Sequence, residues 1–131
     1  MLVDTSVWID FFNDHASAEA ERLSRAIGEG ESITLAGIVV TEILLGLRTD
    51  SEASRIGDLL QAFAVAAAQS LADYRETARI YRVCRSRGVT IRSTIDCLIA
   101  QIAIRDHLPV LTKDRDFRAI AQHFPLEMVV V

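Results

Sequence analysis

Apolar residues run along this chain in two patterns. Met1–Val3, Ile33–Leu35, Phe63–Ala66 and Pro109–Thr112 are brief, almost unbroken apolar segments, the form of short strands buried on both faces. Between them the apolar positions recur at helical spacing. Ser6–Phe12 reads as a helical turn with Trp8, Phe11 and Phe12 inward, and Ala18–Ile27 as a helix stopped by Gly28 and Gly30. Gly37–Leu47 is apolar nearly all round, as expected of a helix packed on a sheet. Ser51–Leu60 follows, with Ile56, Leu59, Leu60 and Phe63 at i, i+3, i+4 and i+7. Leu71–Arg87 is a long amphipathic helix closed by Gly88, then come Ser93–Arg105 and Asp114–Gln122. Glu127–Val131 reads as a final edge strand.

Strands that alternate with helices and lack period-two polarity predict an α/β chain. The expected architecture is an α/β/α sandwich with a mainly parallel, Rossmann-like sheet. No repeat, low-complexity stretch or linker divides residues 1–131, so one domain is expected.

In such a sheet ligands bind beyond the carboxyl ends of the strands, and the acids crowd there. Asp4 follows the first strand, Asp114 and Asp116 follow the Pro109–Thr112 strand, Asp96 opens its helix, and Glu42 lies inside an apolar one. Each has a plainer role open to it. Asp4 suits a helix cap, Ser93-Thr94-Ile95-Asp96 matches a capping box, and Asp114 and Asp116 favour a helix dipole. Glu42 fits none of these, because a carboxylate among Val39, Val40, Ile43 and Leu44 needs a partner or a cation. Convergent carboxylates without a nearby Lys or Arg would raise one another's pKa unless a cation neutralised them. Oxygen-only ligands favour Mg2+ or Mn2+, ions that support phosphodiester hydrolysis. Thr5, Ser6 and Thr112 are placed to support the acids by hydrogen bonds.

Charge narrows the partners. With 14 basic against 18 acidic residues the chain carries −4, so nucleic acid is not held by bulk electrostatics and any contact is local. Arg75, Arg79 and Arg82 form a stripe that is by default a solvated helix face; RNA contact by these or by Arg92 is the functional reading. Cys84 and Cys97 lack zinc or disulfide spacing and read as buried, reduced thiols. His15, His107 and His123 are scattered. No apolar run approaches a membrane span or a signal peptide, so a cytoplasmic location is expected.

Four stretches taken together, Leu2-Val3-Asp4-Thr5-Ser6-Val7-Trp8, Thr41-Glu42-Ile43-Leu44-Leu45-Gly46, Thr94-Ile95-Asp96-Cys97-Leu98-Ile99-Ala100 and Leu111-Thr112-Lys113-Asp114-Arg115-Asp116-Phe117, resemble the PIN-domain family, specifically its VapC-type toxins. The resemblance spans the chain. It implies a PIN-like fold and a Mg2+-dependent endoribonuclease that cleaves structured RNA such as tRNA or rRNA, arresting translation. It also implies a homodimer held inactive by a cognate VapB-type antitoxin, an arginine of which enters the acidic cleft. Carried over by position, Asp4 and Asp96 are the principal metal ligands, Glu42 completes the site or helps activate water, and Asp114 is the fourth acid, with Asp116 a fifth.

Two other readings compete. In a haloacid-dehalogenase-like phosphatase Asp4 would be a nucleophile, but that chemistry wants an acid where Ser6 stands. In a receiver-type signalling domain Lys113 would sit beside a phosphorylated aspartate, and Glu42 would have no role.

Overall fold

The computed structural model describes residues 1–131. Its elements in chain order are β1 (Leu2–Val3), α1 (Thr5–Phe12), α2 (Ala18–Gly28), β2 (Thr34–Ala36), α3 (Gly37–Leu45), α4 (Asp50–Leu60), β3 (Ala64–Ala66), α5 (Leu71–Ser86), α6 (Thr94–Arg105), β4 (Val110–Leu111) and α7 (Asp116–Ala121). The strands form one parallel sheet in the order β3-β2-β1-β4.

That order decides where the helices lie. The crossovers β1 to β2 and β2 to β3 step one way across the sheet, and β3 to β4 steps back past β1. Right-handed crossovers therefore put α1–α4 on one face and α5–α6 on the other. The packing agrees: α1 contacts α2 and α3, and α3 contacts α4, whereas α5 packs on α6 and both meet α7. The result is the expected α/β/α sandwich. It is not the receiver arrangement, whose strand order is 2-1-3-4-5.

The short strands β1, β2 and β4 hold because both their faces are covered, whereas β3, at the sheet edge, is not buried as its apolar run suggests: Val65 is 60% exposed. Leu2, Val3, Leu35, Val110 and Leu111 are fully buried, and with Trp8, Ile80, Ile99, Ile102 and Phe117 they belong to one continuous apolar core. No helix is long and apolar enough to cross a membrane.

Helix ends follow local chemistry. Gly30 and Gly88 take positive φ (70° and 84°) just beyond α2 and α5, and the N–H of Val89 reaches back to the Cys84 carbonyl, the left-handed stop that glycine allows. Asp14 and His107 adopt the same conformation beyond α1 and α6. Arg105 donates to Asp73 Oδ2 (2.7 Å) and to the Ala67 carbonyl (2.9 Å), tying α5, α6 and the segment after β3 together.

Several boundaries differ from expectation. Glu127–Val131 is not a strand: it touches β4 through a single parallel bridge between Val110 and Met128. Only the Val110 N–H and carbonyl meet it, bonding Glu127 and Val129, and β4 is too short to offer more. Helix α3 stops at Leu45, two residues early, and leaves Leu45 72% exposed, so this helix is not covered all round. Helix α7 starts at Asp116 rather than Asp114, because the Asp114 carboxylate accepts the Asp116 N–H in a turn of its own.

Candidate active site

Because the strand order reverses at β1, the carboxyl ends of β1 and β4 lie side by side, in register Leu2 to Val110 and Val3 to Leu111. Asp4 and the residues after Leu111 leave from that edge together, joined by the Asp4 N–H to the Leu111 carbonyl at 2.9 Å. Asp4 occupies the N-cap position of α1, but its side chain caps nothing. Its carbonyl receives the Val7 and Trp8 N–H groups, while its Oδ2 accepts from Ser6 Oγ at 2.8 Å and Thr112 Oγ1 at 2.9 Å. The plain cap reading of Asp4 therefore fails.

Asp96 likewise escapes its structural role. Ser93 caps α6 by accepting the Ile95 N–H at 3.2 Å, and Asp96 makes no return bond, so no capping box forms. Single carboxylate oxygens of Asp96, Asp114 and Asp116 all lie within 4.8 Å of one another. Burial pushes the Asp96 carboxyl up to about 7, reinforced by the charges of Asp114 and Asp4, the hydrogen bond it shares with Asp114, and the charge of Asp116. A half-buried acid whose proton is retained by burial and by neighbouring acids is a place where a hard divalent cation would fit, since the donors are all carboxylate oxygens.

One expectation about this cluster is corrected. The acids are not free of basic partners: Arg92 Nε donates to Asp116 Oδ2 at 3.1 Å and Arg92 Nη2 to Asp114 Oδ1 at 3.0 Å. The backbone N–H of Arg92 adds a second bond to Asp116 Oδ2, also 3.1 Å. Arg92 is thus engaged with two acids and does not stand with Arg75, Arg79 and Arg82. Those three share a surface depression on α5, where Arg79 pairs with Glu76 and lies over the Phe124 ring.

Comparison with known proteins places this architecture. The model of the PIN domain matches residues 1–122. The chain belongs to the PIN-domain family. Over 123 residues it is 33% identical to a VapC ribonuclease of Mycobacterium bovis and to ribonuclease VapC11 of Mycobacterium tuberculosis, covering 93% of this chain and 92% of each relative. Among solved structures it is similar to VapBC-1 from nontypeable Haemophilus influenzae (TM-score 0.74, 18% identity, 98% of this chain and 95% of that one). It is also similar to VapBC2 from Rickettsia felis bound to a promoter DNA fragment (TM-score 0.73, 17% identity, 98% and 96%).

In this PIN domain Glu42 stands apart from the three-acid group. It is half-buried, and Thr5 Oγ1 donates to its Oε1 at 2.7 Å, which answers the cost of an acid on an apolar helix. Because Thr5 is next to Asp4, this bond ties α3 to the mouth of the cleft. Glu42 also lines an apolar groove with Ile9, Phe12, Ile43, Leu47 and Ile56. Lys113, on which the receiver-type reading relied, is committed elsewhere: its Nζ lies 2.6 Å from Asp10 Oδ2. His15, His107 and His123 are exposed, and Cys84 and Cys97 are buried free thiols.

Sequence reasoning missed two buried acids, Asp10 and Asp73. Asp73 is structural. The Gln69 N–H, then Arg105 and Gln101, hold its carboxyl below the usual range, and both its oxygens are bonded. In Asp4, Glu42 and Asp116 the hydrogen bonds of neighbouring side chains and N–H groups fall on one oxygen only. Such acids are oriented and still have an oxygen to offer.

Proposed function

We propose that this PIN domain is a Mg2+-dependent endoribonuclease, the toxin of a type II toxin–antitoxin pair, that cuts RNA in the cytoplasm to inhibit translation and growth, with tRNA or rRNA as substrate. The observation that carries this reading is the Asp96–Asp114–Asp116 group beside Asp4 at the β1–β4 edge, with the Asp96 carboxyl raised by burial and by its acidic neighbours. Activity and toxin role are also supported by the 33%-identical VapC ribonucleases.

The proposed roles are those the family resemblance implies, with the geometry in support. Asp4 and Asp96 are the principal ligands of Mg2+, with Mn2+ a workable substitute. Asp114 is the next ligand: one of its oxygens lies within 4.8 Å of an Asp96 oxygen, and its side chain is more exposed than that of Asp116. Asp116, only 7% exposed and doubly bonded at one oxygen by Arg92, holds the loop after β4 and is the fifth acid. When bound, the cation would lower the pKa of a water and stabilise charge on the scissile phosphate. Glu42, with its Oε2 unbonded, accepts a proton from the attacking water at the rim. Ser6 and Thr112 orient Asp4, and Thr5 orients Glu42.

A VapB-type antitoxin is the proposed partner, on the support of VapBC structural neighbours. The apolar groove that ends at Glu42 suits an apolar segment carrying an arginine, whose guanidinium would pair with the free carboxylate oxygens. A homodimer is proposed from the family resemblance, and residues 1–131 as a single PIN-like domain.

The experiment is induced expression followed by mapping of new RNA 5′ ends, with wild type beside Asp96→Ala and Glu42→Gln. New ends appear with wild type only. Identical RNA profiles for wild type and Asp96→Ala would sink the proposal, and full cleavage by Glu42→Gln would reduce Glu42 to a structural residue.

A further inference from the structure

We propose that Arg92 is a positioning residue that sets the metal affinity of the site: its guanidinium fork clamps the loop after β4 to the entry of α6 and so holds Asp114 and Asp116 against Asp96. This rests on the nuclease reading of the acid group and adds to it a residue that is not itself a ligand.

Three features of the geometry make the clamp. Arg92 immediately precedes Ser93, the N-cap of α6, and Asp96 lies in the first turn of that helix. From there Arg92 spans to residues 22 and 24 positions away in sequence, through Nη2 to Asp114 Oδ1 and through Nε to Asp116 Oδ2. Its own N–H also bonds Asp116 Oδ2, so backbone and side chain close on the same carboxylate. The fork takes one oxygen of each acid and leaves the other, which fixes carboxylate orientation without consuming both donor atoms. Partners of this kind around a metal ligand commonly alter affinity by about 10–100-fold when removed.

A guanidinium so near could instead oppose a divalent cation by charge. Exposure decides against that. The Arg92 side chain is 63% exposed, so its charge is screened by water, whereas its hydrogen bonds still set geometry. A lysine would keep the charge and lose the fork, since an ammonium is a point charge on a flexible stem.

The test is Mn2+ binding to the purified protein by isothermal titration calorimetry, with urea midpoints of the metal-free proteins measured alongside. Arg92→Gln and Arg92→Lys should each weaken Mn2+ about tenfold, with urea midpoints close to wild type because the residue 92 N–H bond to Asp116 survives both changes. Arg92→Lys binding like wild type would overturn the clamp in favour of plain charge. Tighter binding in Arg92→Gln would overturn it in favour of competition, unchanged binding would leave Arg92 with no role in metal affinity, and if that variant does not fold the lysine variant alone decides. Asp96→Asn serves as the separate arm. Loss of Mn2+ binding there together with wild-type binding in both Arg92 variants removes the clamp and leaves the nuclease reading standing; undiminished binding in Asp96→Asn removes the nuclease reading itself.

Discussion

Thr112 and Asp4, 108 positions apart in sequence, are joined by a 2.9 Å bond from Thr112 Oγ1 to Asp4 Oδ2. The same hydroxyl accepts the Asp114 N–H at 2.9 Å, so one threonine orients the acid after β1 and the backbone that carries the acid after β4. Its partner in this task is Ser6, which donates to Asp4 Oδ2 and accepts the Lys113 N–H at 3.2 Å.

From that bond follows the first expectation. Thr112→Val keeps the shape and removes the hydroxyl, leaving the Asp114 N–H unpaired and Asp4 with Ser6 alone. RNA cleavage should fall by about 10–100-fold, the usual effect of losing an orienting partner of a metal ligand. Thr112→Ser should stay close to wild type. Single-turnover cleavage of a defined RNA measures both, and a fully active valine variant would remove Thr112 from the site.

The raised pKa of Asp96 sets a pH dependence with a definite sign. In the metal-free fold Asp96 keeps its proton up to about 7, whereas unfolded it ionises near 4. The native state therefore binds more protons in between, and its stability declines as pH rises through that window. Asp96→Asn should flatten the decline and be more stable than wild type at pH 8, as read by thermal unfolding in chelator at pH 5.5 and pH 8.

Divalent binding responds in the opposite direction, because the cation needs the ionised form. Below about 7 the apparent Mg2+ affinity of wild type should rise roughly tenfold per pH unit as one proton is displaced, then level off. Calorimetry in buffers of different ionisation enthalpy reads that proton directly. A pH-independent affinity would mean that Asp96 is already ionised in the metal-free protein.

Trp8 carries a different kind of strain. Its ring is fully buried among Phe11, Phe12 and Phe63, and its Nε1 has no hydrogen-bond partner. A buried unpaired donor costs about 1–3 kcal/mol. Trp8→Phe removes that cost while losing some packing, so the net change should stay within about 1.5 kcal/mol. Trp8→Ala should cost about 3–5 kcal/mol. Equal losses in urea unfolding would show that the indole N–H contributes more than its surroundings suggest.

The sequence alone determined the order of strands and helices, because burial on both faces is written locally: Leu2, Val3, Val110 and Leu111 are apolar without alternation and all fully buried. It also determined that Asp4, Asp96, Asp114 and Asp116 stand at strand or helix ends, and that Gly30 and Gly88 stop their helices. Only the tertiary structure decided what those acids do. Asp4 and Asp96 sit where local rules put caps, and nothing short-range says that the Asp4 carboxylate meets Thr112 or that Asp96 gathers with Asp114 and Asp116. Arg92 reaches acids 22 and 24 residues away, and Glu42 is answered by Thr5 from 37 residues away. Periodicity reports which face of an element is buried, but a hydrogen bond between two loops depends on which strand lies beside which. Here that neighbour relation, β4 returning to the side of β1, is what turns separate acids into a site.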